Sequence, residues 1–146
     1  MSKIQIRQCV FETNSSSTHS ITMVDKSDFD SWKKGATLFN EEGDKQFLPF
    51  DEAMKHNLKI IQKDYLDGED LPQSFIEAYK ESKSLLSSID DCDELNLSSG
   101  DIDLYDIYLS YREWEDYECE YYETFDEEYK TKHGDEVVAF GYYGYN

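Results

Sequence analysis

Residues 121–143 read YYETFDEEYKTKHGDEVVAFGYY, and this stretch decides the fold. Two runs rich in tyrosine, phenylalanine and valine, residues 121–131 and 136–143, lie on either side of a short polar segment that contains Gly134. Aromatic and β-branched residues favour strands, and a short polar segment with glycine favours a turn between them. The sequence therefore predicts an antiparallel β-hairpin over these residues.

Three further strand pairs or helices are predicted upstream of the hairpin. Residues 3–12 and 18–24 have strand-like alternation and flank a polar run, so we expect them to pair. Residues 36–39 and 45–48 flank Glu-Glu-Gly-Asp and predict a second short hairpin. A short helix is expected from Ser27, with Gly35 as its stop signal.

The two principal helices are predicted in the middle of the chain. Apolar residues recur at helical spacing over residues 51–68, and Pro72 begins a second helix that extends to Leu86. The segment 101–122 fits a helix by the spacing of its apolar residues and a strand by its tyrosine content and by the alternation around Tyr117. We favour the strand. The predicted fold class is α+β, a single domain over residues 1–146 with a mostly antiparallel sheet.

Charge is the strongest functional signal in the composition. The 146 residues carry a formal net charge of −19, and residues 90–136 hold 18 acidic residues against Arg112, Lys130 and Lys132. Such a polyanion repels nucleic-acid phosphates and anionic membrane surfaces, so its expected partners are basic proteins. No direct binding to nucleic acid or to a membrane is expected.

The acidic C-terminal third, residues 90–136, supplies the candidate partner-binding residues. A charged run is commonly a solvated face, but such a face usually mixes in lysine and arginine, because self-repulsion destabilises the fold. Carboxylates at i and i+2 of a strand lie about 6.8 Å apart, twice the axial spacing of about 3.4 Å between phosphates of one DNA strand. The candidates are Glu113, Glu115, Asp116, Glu118, Glu120, Glu123, Asp126, Glu127 and Glu128, with Tyr117 as an aromatic contact.

A zinc site is an alternative that the sequence leaves open. Cys9 and His19 would lie opposite each other if the first two strands paired about residue 14, and a third strand could bring Cys119 to the same place. His133 is a further possible ligand. No CxxC or HxxxH pair accompanies these residues, so dispersed core or surface positions remain the plainer interpretation.

The loop within residues 7–21, RQCVFETNSSSTHSI, is rich in hydroxyl groups. It is typical of a turn whose side chains bond to their own backbone, although it could also present donors to an anion. A hydrolase that uses His19 with Ser15, Ser16 or Ser17 is the least favoured interpretation, because no nucleophile elbow is present. We therefore expect the protein not to be an enzyme.

Location is predicted from the cysteines and the apolar content. Three cysteines at wide spacing favour reduced thiols, and no stretch approaches the roughly 20 apolar residues of a membrane span. The start of the sequence has no apolar segment typical of a signal peptide. A cytoplasmic protein of the bacterial host cell is expected.

The same N-terminal stretch resembles a family of small phage and prophage proteins. Arg7 is followed by VFETNSSS at residues 10–17 and by His19 and Ser20, and residues 134–146, GDEVVAFGYYGYN, are similar to the end of that family. Small acidic prophage proteins of this kind include anti-CRISPR inhibitors of the type II Cas nuclease. The resemblance implies such an inhibitor and carries no catalytic residue with it.

Taken with the charge, the resemblance gives the favoured function. We expect an acidic, phage-derived inhibitor that binds a basic surface of a bacterial nuclease, with a type II Cas nuclease as the specific target. If it acts by DNA mimicry, the arginines that read the PAM are the expected contact surface. A zinc-stabilised structural or interaction module of the phage is the alternative.

Overall fold

A computed structural model describes residues 17–118 and 122–145 of the chain. The predicted α+β class is confirmed, with helices and antiparallel sheets. Contacts divide the chain into two compact units, one containing the described parts of residues 1–31 and 115–146, the other Trp32–Trp114.

The first unit is built on a three-stranded antiparallel sheet in the order β1-β5-β4. Its strands are β1 (Ser17–Asp25), β4 (Glu123–Lys130) and β5 (Glu136–Tyr145), and helix α1 (Lys26–Lys33) follows β1 directly. The hairpin predicted from residues 121–143 is confirmed, because β4 and β5 pair around a turn in which the Thr131 amide donates to the Asp135 carbonyl at 2.8 Å.

Strand β5 lies at the centre of this sheet and is buried on both faces. Its residues 137–140 are all buried, and the Phe140 ring packs against Phe29 of α1 with centroids 5.5 Å apart. Gly141 is required for the close approach of β1, because a Cβ there would lie 1.8 Å from the Ser20 carbonyl oxygen. The absence of a side chain at Gly141 thus allows β1 to pair with β5 along its whole length. Its predicted partner, residues 3–12, lies outside the described residues.

The second unit is mainly helical. Strands β2 (Thr37–Phe39) and β3 (Phe47–Pro49) form the short hairpin that the sequence predicts. The remaining elements are α2 (Phe50–Tyr65), α3 (Gln73–Ser82), α4 (Leu85–Asp91) and three short 3-10 helices at Asp93–Leu95, Ser99–Asp101 and Leu104–Asp106. Helix α5 (Tyr111–Glu118) begins in this unit, and its last four residues belong to the first unit.

No helix within the described residues is both long and apolar enough to cross a membrane.

Aromatic rings form the centre of the second unit. Trp32 is fully buried, and its ring is in contact with those of Phe39, Phe47, Tyr111 and Trp114 at centroid distances of 5.0–5.6 Å. The indole N–H of Trp32 donates to the Leu109 carbonyl at 3.0 Å, so burying the ring leaves no polar atom of it unsatisfied.

Asn57 of α2 connects three parts of the second unit. Its side-chain amide donates to the Tyr79 hydroxyl of α3 and to the Tyr108 carbonyl, both at 2.8 Å, and its carbonyl oxygen accepts the Tyr108 amide at 2.9 Å. Because Asn57 has no exposed surface, each of these groups would be buried without a partner if the side chain were removed.

The prediction of a strand over residues 101–122 is wrong. Residues Leu104–Asp106 form a 3-10 helix, and Tyr111–Glu118 form α5. Ser110 and Glu113 explain the helix, because the Ser110 hydroxyl accepts the Glu113 amide at 3.1 Å and the Glu113 carboxylate accepts the Ser110 amide at 3.0 Å. This reciprocal capping box starts a helix that the alternation around Tyr117 concealed.

Two predicted helix ends also need correction. The helix expected over residues 51–68 ends at Tyr65. The next helix stops at Ser82, because Lys83 adopts a left-handed conformation with φ 58°, and Leu86 belongs to a separate helix, α4. The predicted stop at Gly35 is confirmed, since its φ of 86° ends α1 with a hydrogen bond to the Trp32 carbonyl at 3.0 Å.

The Asn57 network yields a test of the second unit. Asn57→Ala is expected to lower the free energy of unfolding by about 2–4 kcal/mol, because three hydrogen-bonding groups lose a buried partner. Lys59→Ala on the exposed side of the same helix is the control and is expected to change it by less than about 0.5 kcal/mol. Urea unfolding measures both, and equal stabilities of the two variants would contradict the role of Asn57.

Candidate protein-interaction surface

The candidate acidic residues do not form one continuous row. Those from Glu113 to Glu118 lie on α5, whereas Glu123 to Glu128 lie on β4. Glu120 and Cys119 lie outside the described residues. The phosphate-like spacing of about 6.8 Å applies only to residues two apart on a strand, and on β4 the pair of carboxylates at that spacing is Asp126 and Glu128.

Glu113 is a structural residue and not part of an exposed surface, which corrects its place among the candidates. It is 5% exposed. Besides capping α5 through Ser110, its second carboxylate oxygen accepts the Leu86 amide at 3.0 Å and the Ser84 hydroxyl at 3.4 Å. Glu113 therefore joins the start of α5 to the first turn of α4, where free amides favour a negative charge.

Burial has the largest effect on the pKa of the Glu113 carboxyl group. Desolvation raises the pKa of this carboxyl above its ordinary range, although the hydrogen bonds from Leu86, Ser110 and Ser84 act in the opposite direction. The nearby Tyr79 phenol has a raised pKa, first because it is buried and then because the Glu113 charge disfavours a second negative charge. The hydrogen bonds of this cluster join parts of the second unit.

The rest of α5 is more exposed. Glu115 is half-buried, whereas Asp116 and Tyr117 are exposed. Glu118 belongs to the helix, but its side chain is outside what the structure describes. These residues remain candidates for partner contact on the helix.

Strand β4 carries the exposed carboxylates. Its acidic side chains, those of Glu123, Asp126, Glu127 and Glu128, are all exposed. Because side chains alternate across a sheet, Glu123 and Glu127 lie on one face and Asp126 and Glu128 on the other. Strand β4 pairs with β5 along one edge, and it is an edge strand of the sheet within the described part of the chain.

Lys26 of α1 neutralises part of one face. Its ammonium group lies 3.4 Å from the Glu128 carboxylate and 3.3 Å from that of Asp30. The pKa of Lys26 is raised, with the hydrogen bond to Asp30 as the largest cause. Exposed ion pairs of this type contribute little to stability.

Tyrosines accompany the carboxylates on β4 and β5. The Tyr129 hydroxyl donates to the Glu127 carboxylate at 2.6 Å, and this hydrogen bond is the main reason that the pKa of Tyr129 is raised. The rings of Tyr122 and Tyr142 are 4.8 Å apart, and those of Phe125 and Tyr143 are 6.2 Å apart. Tyr129 and Tyr143 are exposed large side chains, which is typical of residues that contact a partner.

Most of the predicted zinc ligands lie outside what the structure describes. Cys9 and Cys119 lie outside the described residues, and His19 belongs to β1 with a side chain that is not described. His133 is exposed in the turn between β4 and β5. Within the described residues no group of three or more cysteine, histidine or acidic side chains could hold a metal ion.

Some acids of the C-terminal third have local structural roles that sequence reasoning missed. Asp90 accepts the amide and the hydroxyl of Ser99, both at 2.8 Å, and Asp103 accepts the Tyr105 amide at 3.0 Å. Asp103 itself is a signal in the sequence, because aspartate commonly accepts a hydrogen bond from an amide two residues ahead. Acids in residues 90–106 therefore partly cap turns.

Glu113 yields the test of this division between structural and surface acids. Glu113→Ala is expected to lower the free energy of unfolding by about 2–4 kcal/mol, because the Ser110 and Leu86 amides lose their acceptor. Glu81→Ala, an exposed acid of α3, is the control and is expected to change it by less than about 0.5 kcal/mol.

The pH dependence gives a second measurement on the same residue. Because the pKa of Glu113 is raised in the folded state, the folded protein holds the proton more tightly than the unfolded chain does. The stability of the wild type relative to Glu113→Gln should therefore fall as pH rises from the ordinary glutamate pKa to the raised one, and then stay constant. A relative stability that increases with pH in this window would show a lowered pKa instead.

The chain was compared with protein families, with curated proteins and with solved structures. No family model, no curated protein and no solved structure matched it. The function is therefore inferred from the charge, exposure and contacts of the side chains.

Proposed function

We propose that this chain is an acidic, non-catalytic inhibitor that occupies a basic surface of a bacterial nuclease, with a type II Cas nuclease as the target. The observation that carries the proposal is the exposed acidic strand β4, an edge strand among the residues that the structure describes, in which Asp126, Glu127 and Glu128 are consecutive. The protein would act in the cytoplasm of the bacterial host.

The energetic argument begins with self-repulsion. Adjacent carboxylates on an exposed strand repel one another, and a chain with net charge −19 has few cations to offset them. Lys26 offsets Glu128, whereas Glu123 and Glu127 are exposed and form no salt bridge with any residue in the described part of the chain. A basic partner would remove this repulsion on binding, and the same field would accelerate its association.

A non-catalytic role is supported by where the perturbed acid lies. Active sites typically place groups with shifted pKa values in a cleft that a substrate can enter. Here the carboxyl whose pKa is raised, Glu113, is buried and caps two helices. Its environment therefore serves the fold.

A nuclease is proposed as the partner because its DNA-binding surface is strongly basic. Surfaces that read a PAM hold arginines in a geometry suited to paired acceptors, and carboxylates are such acceptors. The resemblance of residues 7–20 to small prophage proteins that include anti-CRISPR inhibitors supports the choice of a type II Cas nuclease. Direct binding of the free protein to nucleic acid is not part of the proposal, since like charge opposes it.

Identification of the partner is the first experiment. The tagged full-length chain is used to capture proteins from a lysate of bacteria that carry a type II CRISPR system, at low and at high salt. Recovery of the Cas nuclease at low salt and its loss at high salt would support the proposal. Purified nuclease that cleaves DNA equally well with and without an excess of the chain would overturn it.

Charge-neutralising variants then test whether β4 is the contact. The triple change Glu123→Gln, Glu127→Gln and Glu128→Gln should weaken binding to the nuclease about tenfold or more, mainly through slower association, and should flatten its salt dependence. The control removes the same charge from exposed acids of the second unit and should bind like the wild type. The control changes are Glu69→Gln, Glu77→Gln and Glu81→Gln.

Binding kinetics at two salt concentrations measure this difference. If both triple variants weaken binding equally, net charge alone matters and β4 is not the contact surface. Urea unfolding confirms that neither variant has lost its fold.

A further inference from the structure

One face of the sheet in the first unit combines carboxylates with aromatic rings. Odd-numbered residues of β4 and β5 share this face, because Glu123 pairs with Tyr143 and Phe125 pairs with Gly141 in the register. Val137 and Ala139 of β5 also lie on this side of the sheet and are buried. We call the remaining set, Glu123, Phe125, Glu127, Tyr129 and Tyr143, the aromatic–acidic face.

Acids and rings alternate along β4 on this face. Glu123, Phe125, Glu127 and Tyr129 follow one another at steps of about 6.8 Å, since each is two residues from the next. Gly141, opposite Phe125, has no side chain, and the Phe125 ring approaches Tyr143 to 6.2 Å. Each carboxylate therefore lies beside at least one aromatic ring.

The exposed tyrosines are the feature that a merely solvated acidic face does not explain. Tyr129 is 46% exposed and Tyr143 is 41% exposed. The hydrogen bond from the Tyr129 hydroxyl to Glu127 holds a ring and a carboxylate in a fixed relation. Exposed tyrosine is enriched at the centres of protein interfaces, because it supplies contact area at a low entropic cost.

The two faces of β4 differ in whether their carboxylates form salt bridges within the described part of the chain. On the even-numbered face Glu128 pairs with Lys26 of this chain. On the aromatic–acidic face, neither Glu123 nor Glu127 forms a salt bridge with any residue in the described part of the chain. The rings and the unneutralised charge thus occur together on the same face.

We propose that the aromatic–acidic face binds arginine side chains of the partner in preference to lysine. This inference rests on the proposed function, because it specifies the chemistry of the same basic partner. A guanidinium group is planar and weakly hydrated, so it stacks on a tyrosine ring while it donates two parallel hydrogen bonds to a carboxylate. A lysine ammonium group can also pair with the carboxylate. It is a strongly hydrated point charge, however, so it stacks less favourably on the tyrosine ring.

Two synthetic peptides test this preference directly. They have equal length and equal positive charge, and one carries arginine where the other carries lysine. Each is titrated into the full-length chain, and binding is followed by amide chemical shifts in two-dimensional NMR. The arginine peptide is expected to bind about fivefold more tightly or better, with the largest shifts in residues 123–129 and at Tyr143.

Variants separate the rings from the charge. Tyr129→Leu combined with Tyr143→Leu keeps every carboxylate and should abolish the preference for arginine while leaving the affinity for the lysine peptide unchanged. Tyr129→Phe keeps the ring but removes the hydrogen bond to Glu127, so it should retain a preference for arginine that is smaller than that of the wild type. Tyr105→Leu changes a tyrosine of the second unit that is 61% exposed and serves as the control.

The outcomes distinguish this inference from the proposed function. Equal binding of both peptides would overturn the arginine preference and leave an acidic surface that recognises charge alone. Binding of neither peptide would contradict both proposals. A preference that persists in the double leucine variant, with its fold confirmed by urea unfolding, would show that the rings do not provide it.

Discussion

Aromatic burial is the constraint on which the rest of this structure depends. A chain with net charge −19 pays a repulsive cost on compaction, and hydrophobic burial must outweigh it. In the second unit the ring of Trp32 lies among four other aromatic rings, and in the first unit Phe29 packs on Phe140. These large side chains provide buried area in a sequence whose hydrophobic residues make up only 38%.

The acidic residues divide into two populations with different physical roles. Glu113 is buried and accepts hydrogen bonds from two helix starts, so its carboxyl group has a structural role inside the fold. Glu123 and Glu127 are exposed on an edge strand, where charge also discourages pairing with other strands of like charge. A basic partner would convert this exposed charge from a source of repulsion into a source of binding energy. The distinction cannot be made from charge alone, because it depends on burial.

Sequence patterns predicted the elements whose signals are local. The β4–β5 hairpin follows from strand-forming residues around Gly134, and α2 follows from apolar spacing. Helix α5 was mistaken for a strand, because the tyrosine-rich alternation outweighed the Ser110–Glu113 capping box. The burial of Glu113 depends on Leu86, 27 residues away, and no local pattern reports such a contact. The acids of β4, which the sequence names as candidate contacts, are exposed, whereas their position beside Tyr143 required the register with β5.

Hydrogen–deuterium exchange on the complex tests the central claim most directly, because it reports which backbone amides a partner protects. The free chain is compared with the chain mixed with the proposed partner, a type II Cas nuclease, under the same conditions. The account predicts slower exchange over residues 123–130 in the complex, with unchanged exchange over residues 73–106. Unchanged exchange over residues 123–130, with protection confined to residues 32–114, would contradict it.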